Sequence, residues 1–140
     1  GLAAVRAVQD HTGVADGPHM HFEVRLGANT YEHTRNPKLW LYPYPDHSAV
    51  AGRVVWPDGA LVEAAPVTLR RIDAPSRYLA TTTYTGASVN GDDALSENFV
   101  IDDVAAGFYE IEVNTGEKKY KQEFWVFPYR TAFVEIVIGE

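Results

Sequence analysis

The chain has 140 residues, 46% hydrophobic and 22% charged, with a formal net charge of −7 and no cysteine. That balance fits a folded globular chain. It offers no basic patch for a nucleic-acid partner, and it removes disulfides and cysteine metal sites. No run approaches the ~18 apolar residues of a membrane helix, so no membrane span is expected. Gly1-Leu2-Ala3-Ala4 lacks the basic start and apolar stretch of a signal peptide, so the sequence is expected to begin after any targeting segment.

"LAAVRAVQD" (2–10) is short and apolar, and periodicity does not decide between strand and helix. "HTGVADG" (11–17) reads as a Gly-containing loop. "PHMHFEVRL" (18–26) alternates like a strand, and "GANTYEHTRNP" (27–37) like a loop or short hairpin. Pro43, Pro45 and Asp46 interrupt the apolar pattern of "LYPYPDHSAV" (41–50), which marks a crossing between two units. The expected division is 1–44 and 45–140.

Beyond that crossing, short apolar runs alternate with turn signals. Strands are expected at 49–56, 65–72, 77–85, 98–104, 108–114, 120–127 and 131–138. "PDGA" (57–60) is a turn in which Gly59 is free to take positive φ. "FYEIEVN" (108–114) sets Tyr109, Ile111 and Val113 against Phe108, Glu110 and Glu112. Residues 86–97 read as a long polar loop. The fold class is therefore all-β: a partial antiparallel segment followed by a seven-stranded immunoglobulin-like β-sandwich.

The two units differ in chemistry. All five histidines (His11, His19, His21, His33, His47) lie in residues 1–47, while the remainder carries 14 acidic and 8 basic residues and most of the net charge. Residues two apart share a strand face, so His19, His21, Glu23 and Arg25 oppose Met20, Phe22, Val24 and Leu26. The two imidazole positions lie about 7 Å apart along the strand. One imidazole can bind a metal while the other holds a metal-bound water or stabilises an oxyanion. Equally, polar residues alternate on the solvent face of any half-buried strand.

"TGVADGPHMHFEVR" resembles the last block of the M23 (LytM and lysostaphin-like) zinc metallopeptidases, approximately T-G-x-x-x-G-x-H-L-H-F-E. Thr12, Gly13, Gly17, His19, His21, Phe22 and Glu23 fall on it, with Met20 in place of Leu, and "NPKLW" (36–40) follows at the family's distance. The resemblance covers residues 10–42. It implies that His21 is a zinc ligand and that His19 is the catalytic histidine assisting water and transition state. It also implies a compact antiparallel fold, zinc as cofactor, peptidoglycan or another peptide as substrate, and an extracytoplasmic location in the bacterial envelope or outside it.

The family's two remaining ligands come from an upstream H-x-x-x-D block. None of His11, His19, His33 and His47 is followed four residues later by Asp. One imidazole does not make a stable zinc site, so the chain alone is expected to bind zinc weakly and to lack peptidase activity. His11 and His33 stand as substitute ligands to be weighed against exposed loop histidines, and Asp16 as a turn cap. A segment this short must lean on the sandwich, on another copy through self-association, or on a missing N-terminal part. The simplest expectation is a fragment of a longer enzyme. The alternative is a non-catalytic envelope-binding or structural protein with a degenerate M23-like domain.

"AGRVVWPDGALVEAAPVTL" followed by "ENFVIDDVAAGFYEIEV" resembles the carboxypeptidase regulatory-like (prealbumin-like) sandwich domains. Gly52, Val54, Gly59, Ala65, Val67, Leu69, Phe99, Ile101, Val104, Gly107 and Tyr109 take the family places, and Phe108 is an extra residue between Gly and Tyr. Function does not follow from such a fold. Trp56, Tyr78, Tyr84, Tyr120, Trp125 and Tyr129 are candidates for a sugar- or peptide-binding face, against ordinary aromatic packing. Asp92, Asp93, Asp102 and Asp103 are candidates for Ca²⁺, against solvated loops.

Overall fold

A computed structural model describes residues 3–10, 19–75, 78–85 and 89–139; for 3–10 and 19–22 it describes the backbone alone. The chain is all-β, and its strands are mostly antiparallel. Among the described residues ten strands run in order: β1 (Ala3–Asp10), β2 (His19–Leu26), β3 (Thr34–Arg35), β4 (His47–Val55), β5 (Pro66–Arg71), β6 (Leu79–Thr82), β7 (Phe99–Ala105), β8 (Gly107–Asn114), β9 (Lys119–Val126) and β10 (Ala132–Val137). Short 3-10 helices occupy Tyr31–His33 and Pro37–Leu39. Among the described residues no helix is long and apolar enough to cross a membrane.

The stretch undecided from periodicity contributes a strand over its described residues 3–10: β1 pairs antiparallel with all of β2, from Ala3 opposite Leu26 to Asp10 opposite His19. β3 adds a two-residue edge at Val24 and Arg25. The seven expected strands of the second unit are β4 to β10. They form two sheets, ordered β10-β4-β7 and β6-β5-β8-β9. β10 lies parallel to β4, and every other pairing is antiparallel.

Alternation decides what each strand buries. Val67 and Leu69 of β5 and Tyr109, Ile111 and Val113 of β8 face inward from one sheet; Val50, Val54, Phe99, Ile101, Val134 and Ile136 face inward from the other. Together they form one core between the two sheets of a sandwich. Gly52 is required by packing. A side-chain carbon there would press into the Val134 carbonyl and the ring of Phe99, its register partner on β7. Gly59 has φ +86° in the 57–60 turn, where Gly59 N–H donates to Trp56 O at 2.8 Å, as the "PDGA" pattern predicts.

Two buried polar groups tie the sheet ends. Asn98 is fully buried; its Oδ1 accepts from Val54 N–H at 2.8 Å, and its Nδ2 donates to Val54 O at 3.1 Å and Val62 O at 2.8 Å. Tyr109 Oη donates back to Ala105 O at 2.7 Å, a tyrosine-corner bond. Phe108 turns to the outer face, its ring 4.9 Å from that of Trp125.

Candidate functional site

The histidine strand is β2, and its direction is set by Val24, which is fully buried, while Glu23 and Arg25 on either side are half-buried. Positions 19 and 21 share the face of 23 and 25. Opposite them on β1 stand Asp10, facing His19, and Val8, facing His21. Glu23 and Arg25 bond each other, Nε to Oε2 at 2.6 Å, and Arg25 also donates to Asn29 at 3.0 Å. Thr12, Gly13, Gly17, His11 and Asp16 lie outside the described residues, and the side chains of His19 and His21 are not described.

The other histidines lie elsewhere. His33 Nδ1 bonds Thr30 Oγ1 at 2.8 Å, and its ring would meet a side-chain carbon placed at Gly27. Gly27 follows the Leu26 end of β2, about 20 Å along the strand from His21. His33 is therefore not a substitute ligand for a site at His21. His47 opens β4, with its Nδ1 2.7 Å from Pro45 O. Among the described residues no group of three His, Asp or Glu could hold a metal. Each calcium candidate has a partner within the chain. Asp92 Oδ1 accepts from Ala94 and Leu95 N–H, Asp93 pairs with Arg35 at 2.7 Å, Asp102 with Lys38 at 3.4 Å, and Asp103 lies 3.9 Å from His47.

The last part of the short first unit meets the sandwich. Residues 31–38 dock on the sandwich through polar contacts at one seam. Asn90 Nδ2 donates to Tyr31 O and Thr34 Oγ1, Arg35 reaches Asp93, and buried Asn36 donates to Tyr84 Oη at 3.1 Å while capping its own 3-10 helix through Lys38 N–H. Tyr84 Oη passes the bond on to buried Glu97 Oε1 at 2.8 Å, and Glu97 Oε2 accepts from Asp92 N–H at 2.7 Å. Burial pushes the Tyr84 hydroxyl well above the ordinary tyrosine range. The Pro37–Leu39 helix lies against β7, and Ala51 and Val100 on the outer face of that sheet are buried.

The candidate aromatic face does not assemble. Tyr84 belongs to the seam, Tyr120 accepts from Gly139 N–H at the core edge, and Trp125 packs on Phe108. Tyr129 instead stacks on Tyr42 of the crossing segment, with ring centroids 6.0 Å apart. Sequence reading missed Tyr42 because its neighbour comes from the loop between β9 and β10.

No family model matches this chain, and no curated protein does either. Among solved structures, a crystal structure of (S)-allantoin synthase is similar over 67% of this chain, with 15% identity and a TM-score of 0.45. The chain spans 41% of that protein.

Proposed function

We propose that residues 1–44 are the C-terminal part of an M23-type zinc metallopeptidase domain and that residues 45–140 are its prealbumin-like accessory sandwich. The parent protein would cleave peptidoglycan or another extracytoplasmic peptide. The observation that carries this reading is the block "TGVADGPHMHFEVR", with His19 and His21 at alternate positions of one strand. The fully buried Val24 marks the opposite face as the one turned to the interior. In this reading His21 is the zinc ligand and His19 the catalytic assistant.

The donors in this stretch do not by themselves complete a three-ligand zinc site, so no chemical step through a metal is assigned to the 140 residues alone. What they supply is a strand that presents two imidazole positions on one face. The docked seam would give the peptidase segment a fixed orientation relative to the sandwich. A non-catalytic envelope protein is the competing reading; an H-x-x-x-D block upstream in the parent would support the enzyme, and its absence there the binding role.

The test is metal analysis and cleavage assays on the full-length parent. His21→Ala is expected to remove zinc and activity together. His19→Ala is expected to keep zinc and lose most of the activity. A parent that holds no zinc, or whose zinc content is unchanged in His21→Ala, overturns the proposal. Zinc binding with no cleavage in the unmutated parent selects the non-catalytic reading.

A further inference from the structure

A cleft of about 260 Å³ lies where the crossing segment meets one end of the sandwich. Tyr42, Tyr44 and Tyr129 line it together with Asp102, Asp103 and Thr131. Tyr42 is 88% exposed and Tyr44 69% exposed. Core packing therefore does not account for them, although large exposed aromatic rings are costly to leave in water. Both rings nevertheless have fixed surroundings. Tyr42 stacks on Tyr129, and Tyr44 sits edge-on to His47 with centroids 6.4 Å apart. Pro43 and Pro45 restrict the backbone on either side of Tyr44. Rings held in this way offer contact area at little ordering cost. Two lining residues, Asp103 (φ +55°) and Tyr129 (φ +59°), hold the left-handed backbone conformation that side chains rarely adopt.

The charge in the cleft points to the kind of ligand. Asp102 already faces Lys38 at 3.4 Å, and Asp103 faces the His47 imidazole at 3.9 Å. The carboxylates are thus partly balanced, yet they stay exposed enough to accept further hydrogen bonds. A free ammonium ion would have to compete with Lys38. A neutral ring with many hydroxyls would not: its hydroxyls donate to carboxylates, and its C–H face lies on aromatic rings. The cleft is smaller than the roughly 300–1,000 Å³ of drug-sized sites, which suits a single ring of a longer molecule.

We infer that this cleft binds one pyranose unit of a neutral saccharide, with the exposed Tyr42 ring, backed by Tyr129, as the stacking surface and Asp102 and Asp103 as hydroxyl acceptors. The cleft is lined by residues between Lys38 and Thr131, and the inference does not rest on the peptidase reading. The test is an NMR titration of the 140-residue chain with tri-N-acetylchitotriose, maltotriose and, as a cationic comparator, lysine amide. Saturable shifts of the Tyr42 and Tyr129 ring signals are expected with at least one trisaccharide in the millimolar range; which one responds identifies the sugar.

Tyr42→Ala, at a position too exposed to carry the fold, is expected to weaken binding about threefold to tenfold. Asp103→Asn keeps a side chain that tolerates positive φ and is expected to weaken binding about fivefold, because a charged acceptor becomes neutral. Tyr78→Ala is the control, since Tyr78 lines a different cleft beside Arg70 and Glu110. It is expected to change nothing. Absence of saturable shifts with both trisaccharides overturns the inference. So does unchanged affinity in Tyr42→Ala, or tighter binding of lysine amide than of either sugar.

Discussion

The two units of this chain solve the same problem with different means. In the sandwich, residues 47–138, two sheets close over an apolar core in which Leu69, Phe99 and Ile111 are fully buried. In the first unit, three strands form one sheet, and its described tail is fastened to the sandwich by Asn36, Arg35 and Asn90 rather than by large apolar side chains. The difference teaches where order comes from. A two-sheet domain buries its own apolar faces. A single short sheet must borrow a surface, and a polar seam supplies specificity of placement with less hydrophobic drive.

The comparison breaks most visibly in the sandwich core. Phe99→Ala is expected to cost about 3–5 kcal/mol, measured by urea unfolding, with both sheets lost in one transition. A loss below ~1 kcal/mol would mean that the core does not rest on this ring. Gly52→Ala is expected to cost about 1–3 kcal/mol by overpacking against Phe99 and the Val134 carbonyl. A double mutant of the two should then lose less than the sum, because the smaller side chain at 99 makes room.

The seam should respond differently. Tyr84→Phe removes the donor to Glu97 and the acceptor for Asn36, and is expected to cost about 1–3 kcal/mol. Hydrogen exchange should show the amides of residues 31–39 losing protection while β5 and β8 keep theirs. Equal loss in both units would show that they are one cooperative block. The seam also carries a pH signature. The Tyr84 hydroxyl is raised above its ordinary 10.0, so its contribution is fully present below that pH and fades as pH rises through the higher folded-state value. Tyr84→Phe should therefore flatten part of the alkaline loss of stability.

The smallest effect belongs to the outer face of the four-stranded sheet. Lys119 and Lys121 hold the Glu112 carboxyl below its ordinary 4.5, and Glu110 and Glu112 hold the Lys121 amine above its ordinary 10.5. The Glu112 contribution is present above pH 4.5 and fades as pH falls through its lowered value; that of Lys121 is present below pH 10.5 and fades above it. These groups are exposed, so Lys121→Ala should shift the melting temperature only slightly, and the shift should vanish in high salt. A large, salt-independent shift would mean that this face is covered by something.

Much of the sandwich was legible because its signals are local. Tyr109, Ile111 and Val113 are buried where period-two alternation puts them, and Gly59 takes positive φ where "PDGA" asks for it. β6 is shorter than the 77–85 run suggested, with its pairing confined to Leu79–Thr82. At the site, the resemblance singled out His19 and His21, and strand alternation placed them on one face. Neither showed that His33 is carried to the far end of β2, because no local pattern encodes how a loop folds back after Leu26.

What the sequence by itself determined is therefore the all-β class, the approximate strands and the histidine pair on one strand face. These follow from backbone geometry that repeats every two residues. Only the tertiary structure decided the rest. It sets β10 parallel to β4, satisfies every side-chain group of Asn98 with Val54 and Val62, joins Asn36 to Tyr84, and stacks Tyr42 on Tyr129. Each of these joins residues distant in the chain. They meet because closing the two sheets over a shared apolar core leaves one arrangement of edges and ends, and that arrangement has no periodicity to read in advance.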